Sequence, residues 1–360
     1  MIYKGLKGVV CTETKLSKID GERGKLIYAG YSAKDLAISR SFEEVAYLFW
    51  YGQLPNEKEF KWIQDQFKDN RELPFHLKNI IKSLPPSLEM LDVLRTAISA
   101  VEVTSNERPS IDDSIKLTSL IPSIIAYRLH ALGVRSFPSI QRDLNHVAHY
   151  YYMVTGREPK QEYIKPLETY MILTMEHGLN ASTFSARVTT STESDLASSI
   201  ASAIGTMKGP LHGGAPSGVI EFLNEASQSD DISDLIRHKV KSGEKLMGFG
   251  HRVYQTLDPR AMALKQIVHE NQKADKWFEL ALKVEQVAID VLAELKPGRN
   301  LYTNVEYYAA AVMKALDIDS SLFTATFTAS RIVGWTAHVI EQRQDNTIFR
   351  PKAKYVGPTL

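Results

Sequence analysis

The spacing of apolar positions divides this chain into a short extended start and a long helical remainder. Apolar and polar residues alternate loosely over Gly8-Val9-Val10-Cys11-Thr12-Glu13-Thr14, then Ile19-Asp20-Gly21-Glu22, then Lys25-Leu26-Ile27-Tyr28. Asp-Gly between two β-prone runs predicts a hairpin within the first 30 residues. Helical signals then dominate. Ser32 is placed to cap a helix from Ala33, with Asp35 in its first turn. Ser41 and Glu44 form a capping box, and that run ends at Gly52. Pro55 and Asn56 open a helix from Glu57 to about Asp69, and Pro85-Pro86 breaks the chain again.

From residue 87 onward, apolar residues recur at helical spacing, most clearly over 112–132, 140–155, 160–178, 192–207, 260–272, 276–294 and 304–316. Strand-like alternation is nearly absent after residue 30, so the fold class expected is all-α. Helices 112–132 and 192–207 lack a polar face and therefore belong in the core or at a subunit interface. The charged stretch 226–245 reads as solvent-facing. Gly213, Gly214 and Gly218 supply a hinge. The expected division is a large domain, 1–213 plus 320–360, and a small domain, 214–319.

Composition narrows the function classes. The 360 residues are 44% hydrophobic and 24% charged, with a formal charge of +1. This balance does not favour nucleic acid or an anionic membrane as a partner. The one cysteine, Cys11, forms no internal disulfide and fits a reducing compartment. With no apolar leader or membrane-length run, the expected location is cytoplasmic.

Three segments carry candidate chemistry: Gly-Pro-Leu-His-Gly-Gly (209–214), the run 248–260 with His251 and Arg260, and Asn304-Val305-Glu306. His212 and His251 both sit in glycine-rich turns, where backbone approaches a ligand closely. His177 ends a long helix and precedes Gly178. The remaining histidines, 76, 130, 146, 149, 238, 269 and 338, read as surface or core groups. His177, His212 and His251 are each more than 30 residues apart, unlike closely spaced zinc ligands, so no metal is expected. Arg331 lies in an apolar run and needs either a buried carboxylate or an anionic ligand. Together with Arg260 and Arg350 it could hold a dicarboxylate by bidentate forks. Glu306 starts an apolar helix, where an acidic residue is also favoured on helix-dipole grounds alone.

In these motifs and their order the chain resembles the citrate synthase family, most closely the short bacterial citrate and 2-methylcitrate type, over nearly its whole length. The resemblance implies a two-domain helical fold and a homodimer that closes over oxaloacetate before using acetyl-CoA. By the same resemblance, His212 is the donor that stabilises the enol of the thioester and His251 is the acid at the ketone. His177, Arg260 and Arg331 bind oxaloacetate, and Arg350 reaches the other subunit's site. Lys245, Met247, Gly248, Phe249 and Gly250 are placed at coenzyme A, with Arg299 and Asn304 beside them. Coenzyme A thioester is a substrate, and neither cofactor nor metal is implied. An NADH site is not expected either.

One position departs from the family pattern. The usual base is the aspartate of Asn-Val-Asp, and this chain has Glu306. The added methylene leaves three readings: a backbone that compensates, a slower enzyme, or a pocket for propionyl-CoA. A catalytically silent oxaloacetate- or coenzyme A-binding protein is the alternative outside enzymology. Both histidines and all three arginines weigh against it.

Overall fold

The computed structural model describes residues 2–104, 109–213, 216–250, 253–271, 273, 275–298 and 301–358. The N-terminal sheet is antiparallel, with β1 (Ser17–Asp20), β2 (Lys25–Tyr28) and the short β3 (Tyr31–Ser32) in that order. Ser17 pairs with Tyr28 and Asp20 with Lys25, closing the turn 21–24 where Asp-Gly predicts it. Residues 8–14 form no strand.

Helices follow in the order the caps dictate. Ser32 caps α1 (Ala33–Ser39). The Ser41–Glu44 box opens α2 (Phe42–Tyr51), which ends at Gly52 with φ +78°. Asn56 and Glu59 open α3 (Glu57–Asp69). Then come α4 (Phe75–Ser83), α5 (Met90–Ser99) and α6 (Ile111–Ala131). Helix α7 (His146–Thr155) starts later than its apolar spacing suggests, because the Asn145 side chain accepts from Ala148 N–H and fixes the N-cap there. Helix α8 (Gln161–Thr174) also stops short of 178. Next are α9 (Ala181–Ser191), α10 (Leu196–Met207), α11 (Pro216–Gln228), α12 (Ile232–Lys241), α13 (Pro259–Glu270), α14 (Lys276–Leu295), α15 (Val305–Ala315) and α16 (Phe323–Gln344). Asp195 caps α10, so it begins four residues inside the expected span. Gly218 lies within α11 rather than in a turn. The stretch read as solvent-facing holds α12, which buries Ile232, Ile236 and Val240 on one stripe.

Two sets of helices share the chain. In the first, α16 packs against α2, α5, α6, α8, α9 and α10, and is buried almost all round, with Trp335 at its centre. In the second, α11, α12, α13 and α14 gather around α15 and one another. Helix α13 also touches α1 and α8, and α15 touches α8. These last contacts bring the two sets together at α1 and α8.

Buried carboxylates cap helices across the first set. Glu168 of α8 accepts from Phe42 N–H at 3.1 Å, and Glu43 of α2 accepts from His146 N–H at 2.7 Å. Burial, followed by the charge of Glu43, pushes the Glu168 carboxyl up to about 7. Burial and Arg71 push His149 down to about 3. His146 and His149 are thus neutral core groups, as their apolar settings require. No helix among the described residues is long and apolar enough to cross a membrane.

Candidate active site

The end of α8 is held by groups from two directions. The Tyr28 hydroxyl is 3.0 Å from Leu173 O and 2.8 Å from Glu176 O, and Arg331 Nε donates to Thr174 O at 2.5 Å. These bonds satisfy carbonyls that a terminating helix leaves open. They end α8 at Thr174 and turn residues 175–177 out of the helix, so His177 sits three residues past it. His177 Nε2 is 3.1 Å from the Tyr254 hydroxyl.

Beside it, Glu176 is fully buried. Its Oε1 accepts from Ser17 Oγ at 2.9 Å, and its Oε2 lies 3.2 Å from His338 Nε2. Burial opposes ionisation, but His338, Arg331 and Ser17 together hold the Glu176 carboxyl below its usual range. Of the two partners expected for Arg331, a buried carboxylate is nearby in Glu176. The Arg331 Cζ lies 4.8 Å from the Phe327 ring centroid, and only Nε donates to a described residue. The residue is 2% exposed, and its two terminal nitrogens make no hydrogen bond to the described residues. A buried fork with two open ends suits a carboxylate.

Asp258 organises the second half of the site. It caps α13, accepting from Arg260 N–H at 3.0 Å, and its two oxygens accept from Arg260 Nε at 3.0 Å and Nη2 at 2.9 Å. Oδ2 also accepts from Val305 N–H, the first residue of α15, at 3.1 Å. One buried carboxylate thus fixes Arg260 to the helix start that carries Glu306. The Asp258 charge pushes the Arg260 pKa up against the opposing effect of burial.

Asn304 caps α15 by accepting from Glu306 N–H at 3.1 Å, and its Nδ2 donates to Gly250 O at 2.9 Å. Asn304 N–H donates to Gly248 O, and Gly250 N–H donates to Tyr302 O. The segment 248–250 is thereby zipped to 302–304. Gly248 needs its glycine: φ is +88° and a Cβ would lie 2.9 Å from the Tyr307 ring. His251, the next residue, lies outside the described residues, as does Arg299. Burial raises the Glu306 pKa, Arg260 and Arg331 lower it, and Asp258 adds to the rise; the net shift is upward.

His212 stands in the turn after α10, with its N–H on Gly209 O. Nε2 is 2.7 Å from Ser182 Oγ, which also accepts from Trp335 Nε1 at 3.0 Å and lies 2.8 Å from Asn180 Oδ1. Indole only donates and the amide oxygen only accepts, so the serine hydroxyl either donates to Asn180 and accepts from His212 Nε2 or donates to Nε2 itself. In the second case the ring proton sits on Nδ1, a neutral donor turned away from Ser182. Burial, then Arg331, pushes His212 down to about 4, so the ring is neutral at pH 7.

His212, Arg331, Glu306 and Arg260 thus share one electrostatic neighbourhood, with His177 joined to it through Tyr254, over whose ring Arg260 lies at 5.7 Å. Arg350 is exposed in the C-terminal tail, and no described contact links it to this group. A cavity of about 280 Å³ adjoins the 248–250 segment. Lys245, Met247, Gly248, Phe249 and Asn304 line it, and so does Lys296, which no sequence motif singled out. Gly250 does not line it. Ser182, Glu176 and Tyr254 were also not anticipated. Asp258 alone had a local signal, as the N-cap before Pro259. Among the described residues no group of three or more His, Cys, Asp or Glu is arranged to hold a metal.

The family model described as citrate synthase, C-terminal domain, matches residues 5–352. A 2-methylcitrate synthase of Shewanella oneidensis is 37% identical over 361 residues, covering 98% of this chain and 94% of the relative. The crystal structure of a citrate synthase from Thermotoga maritima superposes with a TM-score of 0.85 at 40% identity, covering 99% and 96% of the two chains. A citrate synthase of Thermoplasma acidophilum, solved as a ternary complex with carboxymethyl coenzyme A and oxaloacetate, gives a TM-score of 0.84 at 30% identity, covering 100% and 97%.

Proposed function

The chain belongs to the citrate synthase family, and on that premise we propose that it condenses acetyl-CoA with oxaloacetate and hydrolyses the citryl thioester to citrate and coenzyme A. The observation that carries this reading is the single Asp258 carboxylate, which holds Arg260 beside the helix start bearing Glu306. An anion handle and a base of raised pKa are thereby fixed to each other.

A thioester α-proton is too weakly acidic for a free carboxylate. Glu306 removes it while the neutral His212 donates to the carbonyl oxygen, so that the enol forms without a full negative charge. The enol carbon attacks the ketone carbon of oxaloacetate, and His251 supplies the proton to the ketone oxygen. Water then adds to the thioester carbon, and coenzyme A leaves as the thiol. Arg260 and Arg331 take the oxaloacetate carboxylates, and His177 takes a third polar contact. Lys245 and Lys296 provide positive charge at the cavity for coenzyme A phosphates, with Met247, Phe249 and the backbone at Gly248 and Gly250 beside them.

The domains in this proposal are 1–213 plus 320–360, and 214–319, with the site between them. The mutual packing of α11–α15 supports this division. The working unit is a homodimer in which Arg350 of the partner subunit completes the oxaloacetate site. Arg350 is exposed in the C-terminal tail.

A 2-methylcitrate synthase using propionyl-CoA is the second reading, favoured by the Shewanella relative. One added methylene separates the donors by only about 10- to 200-fold. Release of free thiol from purified protein with oxaloacetate, using acetyl-CoA and propionyl-CoA in parallel, decides between them. A kcat/KM in favour of acetyl-CoA supports the first reading and the reverse supports the second. No thiol from either donor overturns both.

A further inference from the structure

The turn of the N-terminal hairpin does more than connect two strands. Its base is anchored at the end of α8: Ser17 Oγ donates to Glu176, and the Tyr28 hydroxyl sits between Leu173 O and Glu176 O. Its tip reaches the loop that joins His251 to Arg260. Gln255 N–H donates to Gly21 O at 2.9 Å. A Cβ on Gly21 would lie 2.3 Å from Val253 O, and one on Gly24 would lie 2.7 Å from Leu257 O. Both obstacles are backbone carbonyls, which cannot swing aside as a side chain does. From the same loop, the Tyr254 hydroxyl meets His177 Nε2 at 3.1 Å. The short irregular segment 253–257 is therefore gripped at two points by parts anchored at the end of α8.

We infer that the turn 21–24 is a positioning clasp for the loop between His251 and Arg260, and that Gly21 sets its distance. The inference rests on the assignment of His251 and Arg260 to oxaloacetate. A loop of this kind has no ladder of its own, so each residue it orders costs conformational entropy that outside contacts must offset. The groups at its two ends must be placed to within about 1 Å, because an error of that size costs on the order of 100-fold in rate. The clasp supplies that placement from a rigid two-stranded base. It also crosses between the two proposed domains, since the hairpin belongs to the large one and the loop to the small one.

The test is Gly21→Ala beside Glu22→Ala, an exposed position of the same turn. A methyl at residue 21 must displace the loop backbone. Gly21→Ala is expected to lower kcat/KM for oxaloacetate on the order of 10- to 100-fold. The unliganded thermal midpoint should stay near that of Glu22→Ala, while the rise in midpoint on saturation with oxaloacetate shrinks. A merely structural role would move the unliganded midpoint and leave the ligand-dependent rise intact. Unchanged kcat/KM in Gly21→Ala overturns the clasp. Hydrogen exchange on the wild-type protein gives a readout that needs no variant. The Gln255 amide should be protected, and more so with oxaloacetate; exchange at the free-peptide rate in both conditions overturns the clasp. Should the wild-type protein release no thiol, the functional reading fails, and the exchange pattern still decides the contact.

Discussion

Asp258 grips Arg260 with both carboxylate oxygens, at 3.0 Å to Nε and 2.9 Å to Nη2, in a pair almost closed to solvent. Its Oδ2 has a second duty, the N–H of Val305 at the start of α15. The pair therefore sets where Arg260 points and where Glu306 begins. Asp258→Asn keeps an oxygen for Val305 but removes the charge. Unpairing a buried arginine costs about 3–5 kcal/mol, so the urea midpoint should fall. Oxaloacetate affinity by calorimetric titration should drop on the order of 10- to 100-fold as the guanidinium loses its fixed geometry. Unaltered affinity in a folded variant would show that Arg260 is placed by something else.

Glu306 departs by one methylene from the aspartate that the family resemblance implies, and the structure gives that departure an expected sign. The backbone at its helix start is held by Asp258, by the Asn304 cap and by Gly248 O. It has no freedom to advance if the side chain is shortened. Glu306→Asp is expected to lower kcat roughly 10- to 100-fold with the oxaloacetate KM little changed. Glu306→Gln should abolish condensation and leave oxaloacetate binding intact. A rise in kcat for the aspartate variant would mean that the glutamate is a handicap.

The pH dependence of kcat follows from two opposite shifts. The base must be ionised, and burial raises its pKa above the usual 4.5. His212 acts neutral and protonates only near 4. As pH falls, Glu306 is therefore protonated first, and the acid limb belongs to it. That limb should lie above the ordinary carboxylate range in a profile of kcat at saturating substrates. A rate that rises on acidification would point to a cationic His212 instead.

Much of this site could be read from sequence because its residues announce themselves locally. His212 lies among glycines, Arg260 follows an Asp-Pro start, and Glu306 follows an Asn cap. What escaped lies on α9 and at long range. Helix α9 turns Ser182, Thr183, Ala186, Arg187 and Thr190 inward, so its buried face is polar and no apolar period marks it. Ser182, which holds His212, was hidden for that reason. The bonds from Asp258 to Val305 and from Gln255 to Gly21 span 47 and 234 positions, and no local pattern encodes such distances. The same limit applies to helix ends. Thr174 ends α8 because Tyr28 and Arg331 reach its carbonyls, and both lie far away in the chain.

Outside the site, Glu168 gives the fold a pH signature. Its carboxyl moves from the usual 4.5 to about 7 through burial, then Glu43, with Lys165 and the Phe42 N–H acting the other way. The folded state thus binds more protons than the unfolded state between these values, and stability falls as pH rises through that window. Glu168→Gln keeps an acceptor for Phe42 N–H and removes the titration. It should match wild type near pH 4.5 and exceed it at pH 8 by roughly 2–3 kcal/mol in urea unfolding. A variant less stable than wild type at pH 8 would show that the ionised carboxylate is worth more to α2 than its burial costs.

The assignment of Arg350 to the partner subunit's site can be decided without a structure of the dimer. Arg350→Ala and Glu306→Gln each leave a homodimer with two defective sites. In a mixed dimer, the Arg350→Ala subunit keeps its own Glu306 and receives the intact Arg350 of the other chain, so one site is whole. The second site lacks both groups. Co-expression at equal levels makes half of the dimers mixed, with one working site in two, so about a quarter of wild-type activity should return. If Arg350 served the site of its own chain, the mixed dimer would hold one site without arginine and one without base, and nothing would be regained. Differently tagged subunits, purified through both tags, isolate the mixed dimer and raise the expected recovery to about half.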